Sequence, residues 1–311
     1  MVCVIVFVLS LALCATRAQA QDRPAPDGAT AYGLSAPVAP SVASSLTPGQ
    51  DFRLILTLPF LATSNAAGPQ SERTGASGSP DVHANPDLLL RWTHQFDFVR
   101  LSVAGDIEFD RYAINADQSS NSLTGGVKAA FTDGRSDLFV PYLSYWTVAD
   151  YEPGFTVRDD LMQNFVVGFT SAVGFSANGG IIPFRNSSGA GDWSLAFDLS
   201  AGRRLADPVD FNATFATFTT DLVYNFTPDV HFGLLSKLRF RDYDSYYGQS
   251  RRDTFAALQA RIELTPDWLT TRLPGAELDL AVEYQRNMSN LAFARYTRWE
   301  VGPTLTLTRR F

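Results

Sequence analysis

Apolar and polar residues alternate along most of this chain with a period of two. The last seventeen residues, RYTRWEVGPTLTLTRRF, show it most cleanly. Trp299, Val301, Pro303, Leu305, Leu307 and Phe311 fall on one face, while Arg298, Glu300, Thr304, Thr306, Thr308 and Arg310 fall on the other. A period of two is that of a strand, since a helix would scatter both sets around its circumference. Upstream, FRLILTLPF places Phe52, Leu54, Leu56, Leu58 and Phe60 together, and FVRLSVAGDIEF does the same with Val99, Leu101, Val103, Ile107 and Phe109. Further strands are expected at DLLLRWTHQF, LTGGVKAAF, LFVPYLSYWTV, LMQNFVVGFTSAVGF, WSLAFDLSAGRR, TFATFTTDLVYNF, VHFGLLSKLRFRDY, TFAALQARIEL and AELDLAVEYQRN. That makes twelve, with ten or fourteen as the alternative counts. Residues 177–192, holding Ile181-Ile182 and a Ser/Gly stretch, are assigned to a connection that could hide a short strand. Pro141 and Pro303 lack the ladder donor and predict bulges.

The closing strand, with its terminal aromatic Phe311, resembles that of bacterial outer-membrane β-barrel proteins of the porin-like class. The resemblance covers residues 51–311 as an architecture, and only the final strand is specific, so no subfamily follows. It implies an all-β fold, a closed antiparallel transmembrane β-barrel of about 12 strands in the outer membrane of a Gram-negative bacterium. It also implies that Phe311 is the signal read by the outer-membrane barrel-assembly machinery, with outer-membrane lipid and lipopolysaccharide as surroundings. An even strand count returns both termini to one side, with short periplasmic turns and longer external loops. The turns are expected at 96–98, at TDGRSD and at the two TPD sequences, and the loops up to Asn85, at 111–121, at 152–158 and at YGQSRRD.

A β-sandwich also alternates, but three features favour the barrel. Many strands exceed the ~5–6 residues of soluble sheets and reach the ~9–11 that cross a tilted bilayer. Aromatic residues lie near strand ends (Trp92, Trp146, Trp193, Trp299, Tyr224, Phe226, Tyr243 and Tyr284), as in the girdles at membrane–water interfaces. Charge sits mid-strand on the other face at Arg53, Arg91, Arg100, Asp106, Lys128, Asp198 and Asp221. A dry sandwich core would leave those charges unsolvated, whereas a wet lumen does not.

Composition adds a compartment and removes some partners. Residues 1–20 carry an apolar run from Val2 to Leu13 and the small-residue site Ala18-Gln19-Ala20, a secretory signal peptide, although no base precedes the run. Both cysteines, Cys3 and Cys14, lie within it, and Leu13 is bulky where a lipobox needs a small residue. Without the leader the chain has 24 bases against 32 acids, a net charge of −8, and no basic run. That excludes a nucleic-acid binder, whose affinity comes from neutralising phosphates. Residues 21–50, rich in Pro, Ala and Ser, read as a disordered periplasmic segment.

Candidate chemistry concentrates on the last four strands. Lys237, Arg239 and Arg241 share one inward parity, Arg261 lies on the next strand, and Glu277, Asp279 and Glu283 on the one after. Arg298 and Glu300 complete a lumen-lining charged ladder. Fixed charges of both signs form a constriction that sorts small polar solutes, or else a salt-bridged filling that keeps the wall closed. The first implies a narrow channel for passive passage of small hydrophilic solutes; the second a non-conducting structural, adhesion or assembly barrel. A third reading is an outer-membrane lipid hydrolase, which needs Ser or His at the outer leaflet. His83 falls in an external loop with no base or orienter around it, His94 and His231 near periplasmic turns. No catalytic residue is assigned, and no cofactor or metal is expected: spacings of the HExxH kind and zinc-binding cysteines are missing.

Overall fold

The computed structural model describes residues 50–65, 80–132, 138–182 and 189–311. The expected leader at 1–20, the segment at 21–50 apart from Gln50, and most of the TDGRSD turn lie outside the described residues. Fourteen strands follow: β1 (Gln50–Thr63), β2 (Asp81–Ala84), β3 (Asp87–Phe96), β4 (Val99–Tyr112), β5 (Ser120–Phe131), β6 (Val140–Tyr151), β7 (Arg158–Phe175), β8 (Ile181–Ile182), β9 (Trp193–Asp207), β10 (Ala213–Thr227), β11 (Val230–Tyr246), β12 (Gln249–Leu264), β13 (Ala276–Ser289) and β14 (Tyr296–Arg310). Each pairs antiparallel with its neighbours, and β14 returns to β1 from Arg310 opposite Arg53 to Glu300 opposite Thr63. The ring is therefore closed and presents no free edge.

β2 and β3 are a single barrel strand broken at Asn85-Pro86. Their registers against β1 continue one another, Phe60 opposite Ala84 and Thr57 opposite Asp87, and so do those against β4. Proline removes the donor there but inserts no residue. β8 is a two-residue pair on the end of β7, at Gly174 and Phe175. Setting β8 aside and joining β2 to β3 leaves twelve strands around the wall.

The expected bulges do not form. β6 pairs with β7 through Pro141 without a shift, since Pro141 stands second in its strand. β13 pairs straight through Pro303. On the other side, the β1–β14 ladder is interrupted between Pro59–Thr304 and Ala62–Val301 but resumes in the same register. Gly302 makes that close approach possible: a Cβ there would lie 2.0 Å from the Phe60 carbonyl oxygen.

Connections also depart from expectation. At the end holding the termini, the second TPD opens an α-helix, α1 (Asp267–Arg272), within an eleven-residue link from Thr265 to Gly275. At the far end β11 turns into β12 over Tyr247 and Gly248 alone. Gly248 adopts φ +77° and Tyr247 φ 48°, the left-handed pair that a two-residue hairpin of type I′ requires. Loop length thus does not distinguish the two ends here.

Large apolar side chains cover the outside. Phe60, Leu90, Val103, Leu143, Val167, Leu199, Phe218, Leu234, Leu258, Leu280 and Val301 are all exposed there. A contiguous band of this size is foreign to a soluble surface and matches the lipid-facing belt of a transmembrane barrel. Leu199 lies mid-strand between Phe169 and Phe218. Leu199→Arg should cost about 2–4 kcal/mol in folding free energy, read by urea unfolding in lipid vesicles. A neutral outcome would mean that this face does not meet lipid.

Candidate functional site: the two walls of the lumen

Register assigns every inward position once one strand is oriented, because directly paired residues share a face. On β10 to β14 the inward residues are mostly polar or charged. Register sets Lys237 opposite Thr219 and Ala257, and Arg239 opposite Thr217 and Phe255. Arg239 Nε donates to Thr217 Oγ1 at 3.3 Å, and Arg241 to the Tyr243 hydroxyl at 2.7 Å. Arg261 binds two acids, Asp221 at 3.0 Å and Glu263 at 2.5 Å. Glu283 accepts from Gln259 at 3.1 Å and Gln285 at 2.7 Å. Arg298 pairs with Glu300 on its own strand. Nearer the terminal end, Glu263, Glu277 and Asp279 bring carboxylate oxygens within 4.8 Å of one another. Arg261 already holds one of them, so this trio is a salt-bridged group before it is a ligand set for a cation.

Across the lumen the wall also carries charges, at Arg91, Asp106 and Lys128, and adds a packed apolar patch. In a ring of twelve, strands six places apart face each other, which sets β3 through β7 against β10 through β14. Inward on that side are Leu89, Ala104, Trp146, Val148 and Met162, packed into one buried apolar cluster. Ile55 on β1 and Ala206 on β9 pack against it. Those two strands are themselves on opposite sides of the ring, so the cluster reaches across the bore. A second group, Ala130, Val140 and Tyr142, continues it toward the terminal end. Lys128 lies 3.7 Å from the centre of the Tyr142 ring, a cation–π contact. Tyr142 donates to Asp198 at 3.1 Å.

Trp146 and Tyr243 therefore do not belong to the outer girdle. Trp146 is 6 % exposed inside the apolar cluster, and Tyr243 joins Phe211, Ala213 and Tyr246 in a buried group near the far mouth. The guanidinium of Arg251 sits 4.6 Å from the Tyr243 ring and 4.5 Å from the Tyr246 ring. β6 carries apolar residues on both parities, so parity there says nothing about which face is wet, whereas Tyr243 shares the inward parity of Lys237, Arg239 and Arg241.

His83 is the largest correction. It lies in ordered strand β2, on the inner face, and is 3 % exposed. Its Nδ1 stands 2.9 Å from Asp110 Oδ1 and its Nε2 2.8 Å from Glu300 Oε1. Carboxylates only accept, so the ring that satisfies both donates from both nitrogens and is an imidazolium. The Tyr112 ring stacks on it at 4.7 Å, interplanar angle 5°. Two residues away, Asp81 accepts from the backbone N–H of Ile114 at 3.0 Å and of Asn115 at 2.7 Å, which ties β2 to the connection after β4. Sequence reasoning missed this group because Pro86 hides the strand's continuation. The available signal was the alternation of Asp81, Val82, His83 and Ala84. Inward acids at Asp87, Glu108, Asp150 and Asp160 form a further stripe through the same register.

Apolar outside, charged on much of the inside, and closed on itself: this distribution inverts that of a soluble sheet and suits a bilayer. The chain is an outer-membrane-type β-barrel. The end with the termini is then the periplasmic one and the far end the external one. At the terminal seam Phe311 donates its N–H to the Phe52 carbonyl at 3.0 Å, and the two rings meet edge to face at 5.9 Å.

No protein-family model matches the sequence, and no curated protein matches it either. Solved structures that resemble the barrel include an outer-membrane channel from Pseudomonas putida F1, at 11% identity and TM-score 0.46 over 88% of this chain and 99% of that one. The KdgM porin, in complex with disordered oligogalacturonate, is also similar at 11% identity and TM-score 0.40 over 80% and 97%. The translocator domain of the autotransporter NalP from Neisseria meningitidis is similar at 8% identity and TM-score 0.37 over 83% and 88%.

Proposed function

We propose that this barrel is an outer-membrane channel through which small hydrophilic solutes pass passively, along a narrow path on the charged wall of the lumen. The observation that carries the reading is the asymmetry of the bore. Charges of both signs line β10 to β14, while on the facing side, which has inward charges of its own such as Arg91, Asp106 and Lys128, packed apolar side chains fill part of the bore. A polar solute therefore travels along Arg239, Lys237, Glu283 and Arg261, where fixed charge replaces part of its hydration. The lipid around the barrel includes lipopolysaccharide in this reading, and Phe311 serves as the signal for the barrel-assembly machinery.

Reversal potentials across a planar bilayer under a salt gradient test the path. A unit charge about 4 Å away in water is worth about 1 kcal/mol, roughly a fivefold change in local ion occupancy. Arg239→Gln should move selectivity toward cations by up to that factor, and Glu283→Gln toward anions. If both variants kept the wild-type reversal potential while conducting, the charged wall would not line the path.

One observation favours a second reading, a barrel that conducts nothing at rest and acts through its external loops. Met162 is fully buried and Trp146 nearly so, and side chains packed this way leave no room for solute where they meet. Wild-type barrels that insert into the bilayer and stay silent would select this alternative.

A further inference from the structure

On the outer face of β13 and β14 the Tyr284 and Trp299 rings pack together with centroids 4.7 Å apart. Trp299 is 52 % exposed, and an outward aromatic pair near the strand ends marks the membrane–water interface. One outward step further toward the external end, the register pairs Arg286 with Thr297, both exposed. Met288 follows, and then the connection that carries Arg295. Arg295 Nε donates to the Ser289 carbonyl at 2.7 Å, which holds this second guanidinium at the same place. Arg286, Met288, Ser289, Arg295 and Thr297 are among the residues lining one cavity of about 360 Å³.

Among the described residues the charge here is uncompensated. Other exposed arginines of the external rim have acids: Arg158 with Asp207, Arg203 with Asp244, Arg252 with Asp242. Among the described residues, neither Arg286 nor Arg295 has a carboxylate within ion-pair distance. Two guanidiniums on one cavity, just above an interfacial aromatic pair, stand where lipid phosphates lie. Guanidinium forks match phosphate oxygens in geometry as well as charge, and Met288 offers an apolar wall to the start of an acyl chain.

We propose that Arg286 and Arg295 form a binding site for the phosphate of a lipid headgroup in the external leaflet. The inference rests on the membrane-spanning reading and on the external placement of this end, and it does not depend on whether the lumen conducts.

The test is native mass spectrometry of the full chain released from detergent micelles. The probes are a phosphorylated glycolipid, the same glycolipid with its phosphates removed, and inorganic phosphate as competitor. The wild type should retain the phosphorylated lipid at least about tenfold better than the dephosphorylated one, the worth of one or two charge-assisted hydrogen bonds. Arg286→Gln combined with Arg295→Gln should abolish that preference, and Arg286→Lys should keep part of it. Equal retention by the double variant would overturn the proposal. So would displacement by millimolar inorganic phosphate, which would assign the cavity to a free anion. The gel mobility of unboiled protein, run on the same samples, reports barrel closure. A wild type lacking the mobility shift would count against the barrel itself, whereas lost preference with the shift intact in the double variant supports the site.

Discussion

His83→Ala should lower the stability of the barrel by about 3 kcal/mol, to be read by urea unfolding in lipid vesicles. The figure is the low end of what removing one partner from a buried ion pair costs, because Arg298 stays on Glu300 after the imidazolium has gone. Asp110 loses its ion pair with His83, and Tyr112 loses the ring stacked on it. Position enlarges the effect. Asp110 belongs to β4 and Glu300 to β14, so the imidazolium ties together strands that lie on either side of β1 and β2. That group sits beside the seam where the first and last strands meet, and a closed wall depends on its seam. Glu300→Gln should destabilise as well, since it leaves both His83 and Arg298 facing a neutral amide. His83→Gln, which keeps one side-chain donor, should fall between wild type and alanine. A loss below 1 kcal/mol in His83→Ala would mean that the two carboxylates are held apart by water and that the histidine is incidental.

Much of the wall could be read from the chain, because a strand of known parity fixes the next through direct pairing. The inward charges at Arg53, Arg91, Asp106, Lys128, Asp198 and Asp221 and the outward leucines at Leu54, Leu56, Leu58, Leu305 and Leu307 stand on the faces expected from alternation alone. Two things were not legible. Alternation fails to assign a face to Trp146, because both parities of β6 are apolar, whereas the inward face of Tyr243 is legible from the parity it shares with Arg239 and Arg241. Local pattern also stops at a proline, so the sequence reads β2 as loop and leaves the partners of His83 hidden, Asp110 27 residues away and Glu300 217. The Glu300 contact follows from closure of the ring, and the Asp110 contact from β2 continuing the pairing of β3 with β4. The charged ladder on β11 to β14 was legible as a set of inward positions. Its pairing was not, since Arg261 turns to Asp221 two strands back as well as to its own neighbour Glu263.

The apolar half of the bore decides how wide the path is, and Trp146 is the side chain on which that depends. Trp146→Ala should raise single-channel conductance severalfold in planar bilayers. The indole is the largest member of the cluster that runs from Ile55 to Ala206, between strands on opposite sides of the ring. Removing it leaves a gap whose lining opens toward the charged wall, and water with its ions can enter a gap that has polar groups on one side. The same change should cost about 3–5 kcal/mol of stability, as truncation of a buried aromatic does, so it must be made in protein whose unboiled gel shift is intact. Trp146→Phe fills most of the volume and should leave conductance near wild type. A folded Trp146→Ala barrel with unaltered conductance would place the path wholly along β10 to β14, away from the cluster. If instead the wild type is silent and only the alanine variant conducts, the cluster is a plug, and the loops or the far mouth carry the function.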